Sequence, residues 1–197
     1  MKKVLCLLVL SIFFYGCGTT RSTSYTNAIL PDEDDNLGGT GIESVDIRTV
    51  ARKMAESMLN IPEISNADGM PRIGLLPVKN STRFVINQEI FTKKIRIELN
   101  KNSNSKVRFL ARDRVDDILK EREAKKEGLF TASKESDLLG IDFFLTGELS
   151  GLSKAASGHR SDYTLMSFQL IDAETSDIVW EDAYEIKKVG ITGVAYQ

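Results

Sequence analysis

"SDYTLMSFQLIDAETSDIVWEDAYEIKK", residues 161–188, reads as two long β-strands, 161–172 and 177–188, joined by the polar turn Ala173-Glu174-Thr175-Ser176. In the second strand Ile178, Trp180, Tyr184 and Ile186 alternate with Val179, Glu181, Ala183 and Glu185, so one face is packed and the other mostly wet. Asp182 interrupts the alternation, and a bulge, an edge position and an interface all fit it. The chain therefore ends in an antiparallel hairpin.

Upstream, "IDFFLTGELSGL" (141–152) is a further strand with Phe143, Phe144 and Leu145 buried on both sides, and a loop rich in Ser and Gly leads from it to the hairpin. "RIGLLPVKNSTRF" (72–84) supplies a short apolar run, Ile73 to Val78, bounded by Pro71 and by Asn80-Ser81-Thr82, which reads as a buried strand running into a polar turn. Pro77 cannot donate a ladder hydrogen bond, so it belongs near the strand's end or where its amide would face no neighbour. "NQEIFTKKIRIELNKN" (87–102) sets Phe91, Ile95 and Leu99 on one helical face, and "KVRFLA" (106–111) follows as a second strand. This is a βαβ unit, with parallel strands and a right-handed connection by the crossover rule. A parallel start and an antiparallel end predict an α/β (α+β) fold, a mixed sheet of four to five strands flanked by helices.

Three more helices complete the reading. "ESVDIRTVARKMAESMLN" (43–60) offers Ser44 as its cap and Ile47, Val50, Ala51, Met54 and Met58 as a core-facing stripe, with Pro62 stopping it. "RDRVDDILKEREAKKEG" (112–128) turns Val115, Ile118 and Leu119 inward and suits Gly128 to its C-terminal cap. "TASKESDLLG" (131–140) is a short helix starting at Thr131 or Ser133 and ending at Gly140.

The 197 residues allow one compact domain plus appendages, and 42% apolar with 27% charged residues excludes both a membrane bundle and a disordered chain. Net charge is −2, or −4 once Lys2 and Lys3 leave with a signal, which gives no footprint for nucleic acid. "MKKVLCLLVLSIFFYGC" has the layout of a secretory signal: two lysines, an apolar stretch from Val4 to Tyr15, then Gly16 and Cys17. That stretch is shorter than the ~20 residues a spanning helix needs. Cys6 would leave with the signal, so Cys17 would have no internal disulfide partner. Residues 18–41 are rich in Thr, Ser, Asn, Asp and Gly and read as a linker, ~25–30 Å end to end as a coil and ~80–90 Å if straightened. Its acidic run, Asp32 to Asp35, lacks EF-hand spacing and reads as a solvated spacer. The expected layout is signal 1–16, linker 17–42, globular domain 43–188 and a tail 189–197 that either adds to an edge strand or is free.

Catalytic patterns are missing from the sequence. The single His159 has no second histidine or retained cysteine with which to build a zinc set. Neither G-x-S-x-G nor a phosphate-cradling G-x-x-x-x-G-K-[ST] occurs. Asp116, Asp117, Glu121 and Glu123 lie on an exposed helix face, where solvation explains them. No catalytic residue, metal site or small-molecule substrate is expected. Asn80, Thr82, Arg83 and Phe84 stand out instead: the first two close a turn, and the last two set a cation and an aromatic ring beside it, a pairing common at binding hot spots.

A small residue followed by cysteine at the end of an apolar run resembles the lipobox of bacterial lipoproteins, with Phe14 and Tyr15 where smaller or aliphatic residues are commoner. The resemblance implies cleavage before Cys17 and acylation of that cysteine, the only group attached to the chain; an ordinary cleaved signal and an uncleaved anchor are the alternatives. Several acyl chains, at ~0.8 kcal/mol per buried methylene, tether a protein stably. Four segments, "RIGLLPVKNSTRF", "VRFLARDRVDDILKERE", "GIDFFLTGELSGL" and residues 163–188, together resemble the penicillin-binding-protein activator lipoproteins, the LpoB family. The resemblance runs from about Arg72 to Lys188. It implies a mixed sheet with helices, related to curli-secretion lipoproteins and to the amino-terminal domain of TolB. It also implies an outer-membrane lipoprotein facing the periplasm that binds a bifunctional peptidoglycan synthase, a penicillin-binding protein, and activates it without a catalytic group of its own. The short linker with few prolines departs from the long Pro-rich tethers of that family. The alternative reading is a lipoprotein of the same fold serving a secretion or envelope-assembly complex.

Overall fold

The computed structural model describes residues 28–33, 38–129, 131 and 138–191. The chain divides into two units, Met1–Leu30 and Pro31–Gln197, and all the elements below lie in the second. The signal, Cys17, most of the linker, the body of the helix expected at 131–140 and residues 192–197 lie outside the described residues.

Five strands form one sheet: β1 (Arg72–Ser81), β2 (Arg108–Phe109), β3 (Phe143–Ala156), β4 (His159–Asp172) and β5 (Ile178–Ile191), in the order β2-β1-β3-β4-β5. β1 is parallel to β2 and β3, whereas β3, β4 and β5 run antiparallel in sequence. The mixed α+β sheet expected from the sequence is thus the fold. Pro77 sits where the register of β1 on β3 shifts, between Leu75 and Val78, and β2 reaches only Arg72 and Ile73 on the other side. Its missing amide breaks no ladder there, and its carbonyl accepts a bond from Thr146 Oγ1 at 3.0 Å.

The helices are α1 (Ser44–Leu59), the one-turn α2 (Pro62–Ser65), α3 (Glu89–Asn102) and α4 (Val115–Lys126). α1 and α3 pack together against one face of the sheet, because each carries a continuous apolar stripe. Val50, Ala51, Met54 and Met58 of α1 and Phe91, Ile95 and Leu99 of α3 meet Ile73, Leu145, Leu149, Met166, Phe168 and Leu170 of the strands. Along β4 the residues facing the helices, Asp162 to Leu170 in steps of two, are buried, and their alternates are half-buried. Trp180 closes the core at β5, its indole N–H donating to Ser57 Oγ at 3.0 Å.

Several expectations are corrected. Glu43, not Ser44, caps α1: its N–H donates to Asp46 Oδ2 at 2.9 Å in a reciprocal capping box, while Ser44 Oγ donates to the Pro31 carbonyl. α4 buries no residue: Ile118 and Leu119 are exposed and Val115 is half-buried. Its apolar face stops after one and a half turns, because Arg122, Glu123 and Lys126 occupy the continuation. Gly128 does end α4 as expected, at φ +79°, in a Schellman motif with Gly128 N–H on Lys125 O and Leu129 N–H on Ala124 O.

The Ser/Gly loop after the third strand is instead a continuation of β3 and β4, joined by the two-residue turn Ser157-Gly158 with φ of +50° and +76°. Positive φ at both positions is the type I′ geometry whose twist matches the flanking strands, so pairing persists to Ala156↔His159. The six-residue strand read at 106–111 pairs over only two residues. Phe143 and Phe144 are half-buried rather than buried: Phe143 packs at the margin of the core, while Phe144, on the second face, which no described helix covers, packs with Ile141 over Gly74. A register shift between Leu170 and Ile171 turns Ile178 off the packed face, leaving it 53% exposed. Asp182 keeps the inward phase, half-buried, with its own carboxylate accepting the Ala183 N–H. Thr40 to Ile42, counted with the linker on sequence, are buried, and Val189 to Ile191 extend β5.

Candidate functional site

Where β1 ends, the chain must reverse toward α3, and the Asn80 side chain closes that reversal. Its Oδ1 accepts the Thr82 N–H at 2.9 Å and the Thr82 hydroxyl at 2.7 Å, and its Nδ2 donates to the Phe84 carbonyl at 2.8 Å. Thr82 Oγ1 in turn accepts the Phe84 N–H at 3.2 Å. One amide and one hydroxyl thus fix both ends of a five-residue turn. Phe84 is 5% exposed, and the Arg83 guanidinium lies 4.3 Å from its ring centroid.

Arg83 also reaches Asp162 on β4, its Nε at 3.2 Å from Oδ1 and its Nη2 at 2.7 Å from Oδ2. Asp162 accepts further bonds from Ser153 Oγ on β3 and from Thr40 Oγ1, and Arg83 Nη2 touches Thr40 Oγ1 as well, at 3.2 Å. The carboxylate side chain is 1% exposed. Burial pushes its carboxyl up, but the bonds from Arg83, Ser153 and Thr40 outweigh that and hold it well below the usual carboxylate range. A carboxylate saturated with donors and fixed in its ionised form has no proton to give at neutral pH and no lone pair free to take one. Its chemistry is that of a lock joining the turn, β3, β4 and the start of the domain.

A second clasp lies beside it. Lys188 Nζ on β5 binds Asp46 Oδ2 at 2.7 Å, Glu43 Oε1 at 3.0 Å and the Gly41 carbonyl at 3.1 Å. Burial lowers the Lys188 ammonium's pKa, and the bonds to Asp46 and Glu43 more than restore it. Gly39 passes so close to Gly190 that a Cβ there would lie 3.2 Å from the Gly39 carbonyl oxygen. On the outer side of the turn, Glu148 accepts from Ser81 Oγ at 2.7 Å and Lys79 Nζ at 3.1 Å, and those partners lower its carboxyl pKa.

The structure therefore brings Asn80, Thr82, Arg83 and Phe84 together as one element. Asn80 and Phe84 are turned into it, Thr82 is half-exposed, and Arg83 keeps its outer edge in solvent while its donors point inward. Asp162, Thr40 and Ser153 were missed on sequence. The available signal was a lone carboxylate in the inward phase of a strand whose other inward residues are Thr164, Met166, Phe168 and Leu170. His159 is exposed at the hairpin tip, its Nδ1 3.0 Å from the Ser157 carbonyl oxygen. Among the described residues no group of His, Cys, Asp or Glu is placed to hold a metal ion, and no helix is long and apolar enough to cross a membrane.

Residues 46–186, from the first turn of α1 to the far part of β5, match the family model described as peptidoglycan-synthase activator LpoB. The chain belongs to the LpoB family. Among solved structures it is similar to the LpoB C-terminal domain from Salmonella enterica, at 15% identity, covering 73% of this chain and 99% of that one with a TM-score of 0.42. The Escherichia coli LpoB C-terminal domain gives 15% identity over the same shares and a TM-score of 0.40. Lipoprotein GNA1162 from Neisseria meningitidis gives 13% identity, 63% of this chain, 86% of that one and a TM-score of 0.40. None of the curated proteins matches the sequence.

Proposed function

We propose that this protein is an outer-membrane lipoprotein, held by an acylated Cys17, that binds a bifunctional peptidoglycan synthase and activates it allosterically from the periplasm. The observation that carries the reading is the family match over residues 46–186, which spans both core helices, the candidate turn and nearly all of the sheet. An activator of this kind supplies no reacting group. It binds the active conformation of the synthase more tightly than the inactive one, and each tenfold of that preference moves the equilibrium by about 1.4 kcal/mol. The Asn80–Phe84 turn suits such a role because its shape is set before binding, so little ordering cost falls on the complex. In this reading Asn80, Phe84 and the Thr82 hydroxyl hold the turn, while the exposed side of Thr82 and the outer edge of Arg83 meet the synthase.

The test is a binding and glycosyl-transfer assay with candidate synthases. Adding the purified protein is expected to raise the transfer rate, and, against Thr82→Val as a control that loses the same hydroxyl bonds, Thr82→Arg to weaken binding by about tenfold or more. Full binding by that variant would move the interface elsewhere. Recovery of export components without any synthase from solubilised envelopes would favour the secretion-complex reading. For the anchor, Cys17→Ala is expected to shift the protein from the membrane to the soluble fraction. A variant that stays in the membrane fraction as the parent does would rule out the lipid.

A further inference from the structure

Beyond Ser150 the β3–β4–β5 part of the sheet extends past the end of β1, whose pairing stops at Ser81↔Ser150. The strand registers set the side chains of its helix-free face in rows: Leu152 beside Tyr163 beside Lys187, then Lys154 beside Ser161 beside Val189, with Ile191 in the next row. Leu152, Val189 and Ile191 are 73%, 70% and 63% exposed, more than any core-facing phase would leave. Residues 151–161 and 187–191 contain no Asp or Glu. Asp162 belongs to the other face, and Glu185, the nearest carboxylate on this one, lies one row away beside Leu165, outside the two lysine rows. No salt bridge among the described residues engages Lys154 or Lys187. The two lysines flank a shallow hollow of about 490 Å³.

We propose that this face is a membrane-docking arm that takes anionic phospholipid. Two features favour a bilayer over a protein partner. Exposed aliphatic side chains, a tyrosine and two lysines outside every described salt bridge on one face are the composition of an interfacial surface, with apolar groups for the acyl boundary and ammonium groups for phosphate. The hollow between the lysines has room for a headgroup. The inference rests on the reading of the protein as membrane-tethered. It adds that the domain lies against the lipid it is tethered to, through an electrostatic contact that salt weakens.

Leu152→Trp places an indole on the arm, while the one natural tryptophan, Trp180, is buried on the opposite face. The full-length variant is reconstituted into vesicles of brominated phosphatidylcholine, alone or mixed with brominated phosphatidylglycerol. Flotation reads the anchor, and quenching of the introduced indole reads the arm. Quenching is expected in the anionic vesicles and much less in the neutral ones. Lys154→Glu with Lys187→Glu on the same background should reduce it at least tenfold, from about fivefold per lysine at an anionic surface, with melting unchanged. Protein that floats with both vesicles but is quenched in neither, or is quenched regardless of lipid charge and of the lysines, overturns the arm and leaves the anchor standing. Protein that fails to float with neutral vesicles overturns the anchor, and quenching in the anionic ones still supports the arm.

Discussion

Phe168→Ala is expected to lower the unfolding free energy by about 4 kcal/mol, the middle of the range for deleting a buried aromatic ring. Phe168 is fully buried, its ring tilted 37° against Phe91 of α3 with centroids 6.3 Å apart. It also occupies the notch above Gly147: a Cβ there would sit 2.6 Å from the Phe168 ring and 2.5 Å from the Ser167 carbonyl oxygen. The floor of that notch is strand backbone, which cannot move in to fill the space the ring leaves. Most domains have only about 5–15 kcal/mol of stability to lose, so the variant should be marginal at 37 °C. Urea denaturation decides it: the midpoint should fall with the slope unchanged. A loss below about 1.5 kcal/mol would show that α3 settles into the cavity.

Removing the cation from the buried lock should be nearly as costly. Arg83→Ala leaves Asp162 ionised and buried with only the Ser153 and Thr40 hydroxyls, a change expected to cost about 2–3 kcal/mol at pH 7. The value is set at the low end because the Arg83 side chain is 36% exposed, so water replaces part of what it supplied. The pH dependence distinguishes this from lost packing. In the parent the Asp162 carboxyl is depressed, so its contribution is complete above the unfolded carboxyl range near 4 and lost only as pH falls through the lower folded value. Without Arg83, burial acts with less opposition and the carboxyl takes up a proton at milder pH. The deficit relative to the parent should therefore narrow between about pH 6 and pH 3. An equal deficit at pH 7 and pH 4 would show that the two hydroxyls suffice to keep the carboxylate ionised.

The elements that sequence reading placed correctly are those whose pattern is local and repeated. Val50, Ala51, Met54 and Met58 recur at helical spacing over about two and a half turns, and the apolar run of β1 is bounded by a proline and a turn, so α1 and β1 were legible. α4 was misread because three apolar residues resemble the start of a stripe, and only their exposure shows that nothing covers them. The extension of β3 and β4 was misread because Ser, Gly, Lys and Ala over 153–160 have weak strand preference. A two-residue turn with positive φ enforces the pairing there, against local composition. At the site, Asn80 and Thr82 were legible because their bonds span four residues or fewer. The Arg83–Asp162 pair joins residues 79 apart, and Thr40 joins from 122 away. No local period encodes such a meeting, and only the burial phase of β4 hints at one of its members.

The two clasps have a mechanical meaning. Tension from the N-terminal side would first meet the exposed contacts of Pro31 and Asp32 with Ser44 and Arg48 of α1, then Thr40, whose hydroxyl is bound to Asp162 in β4, and then Gly41, Glu43 and Asp46, which share Lys188 in β5. Once those exposed α1 contacts part, the load passes into two neighbouring strands paired along almost their whole length. To peel α1 from the core, a pull would first have to break an ion pair, a buried hydroxyl bond and a capped helix start in succession. A domain loaded in this way can be tugged at its N-terminal side while the Asn80–Phe84 turn, fastened to the same Asp162, keeps its shape.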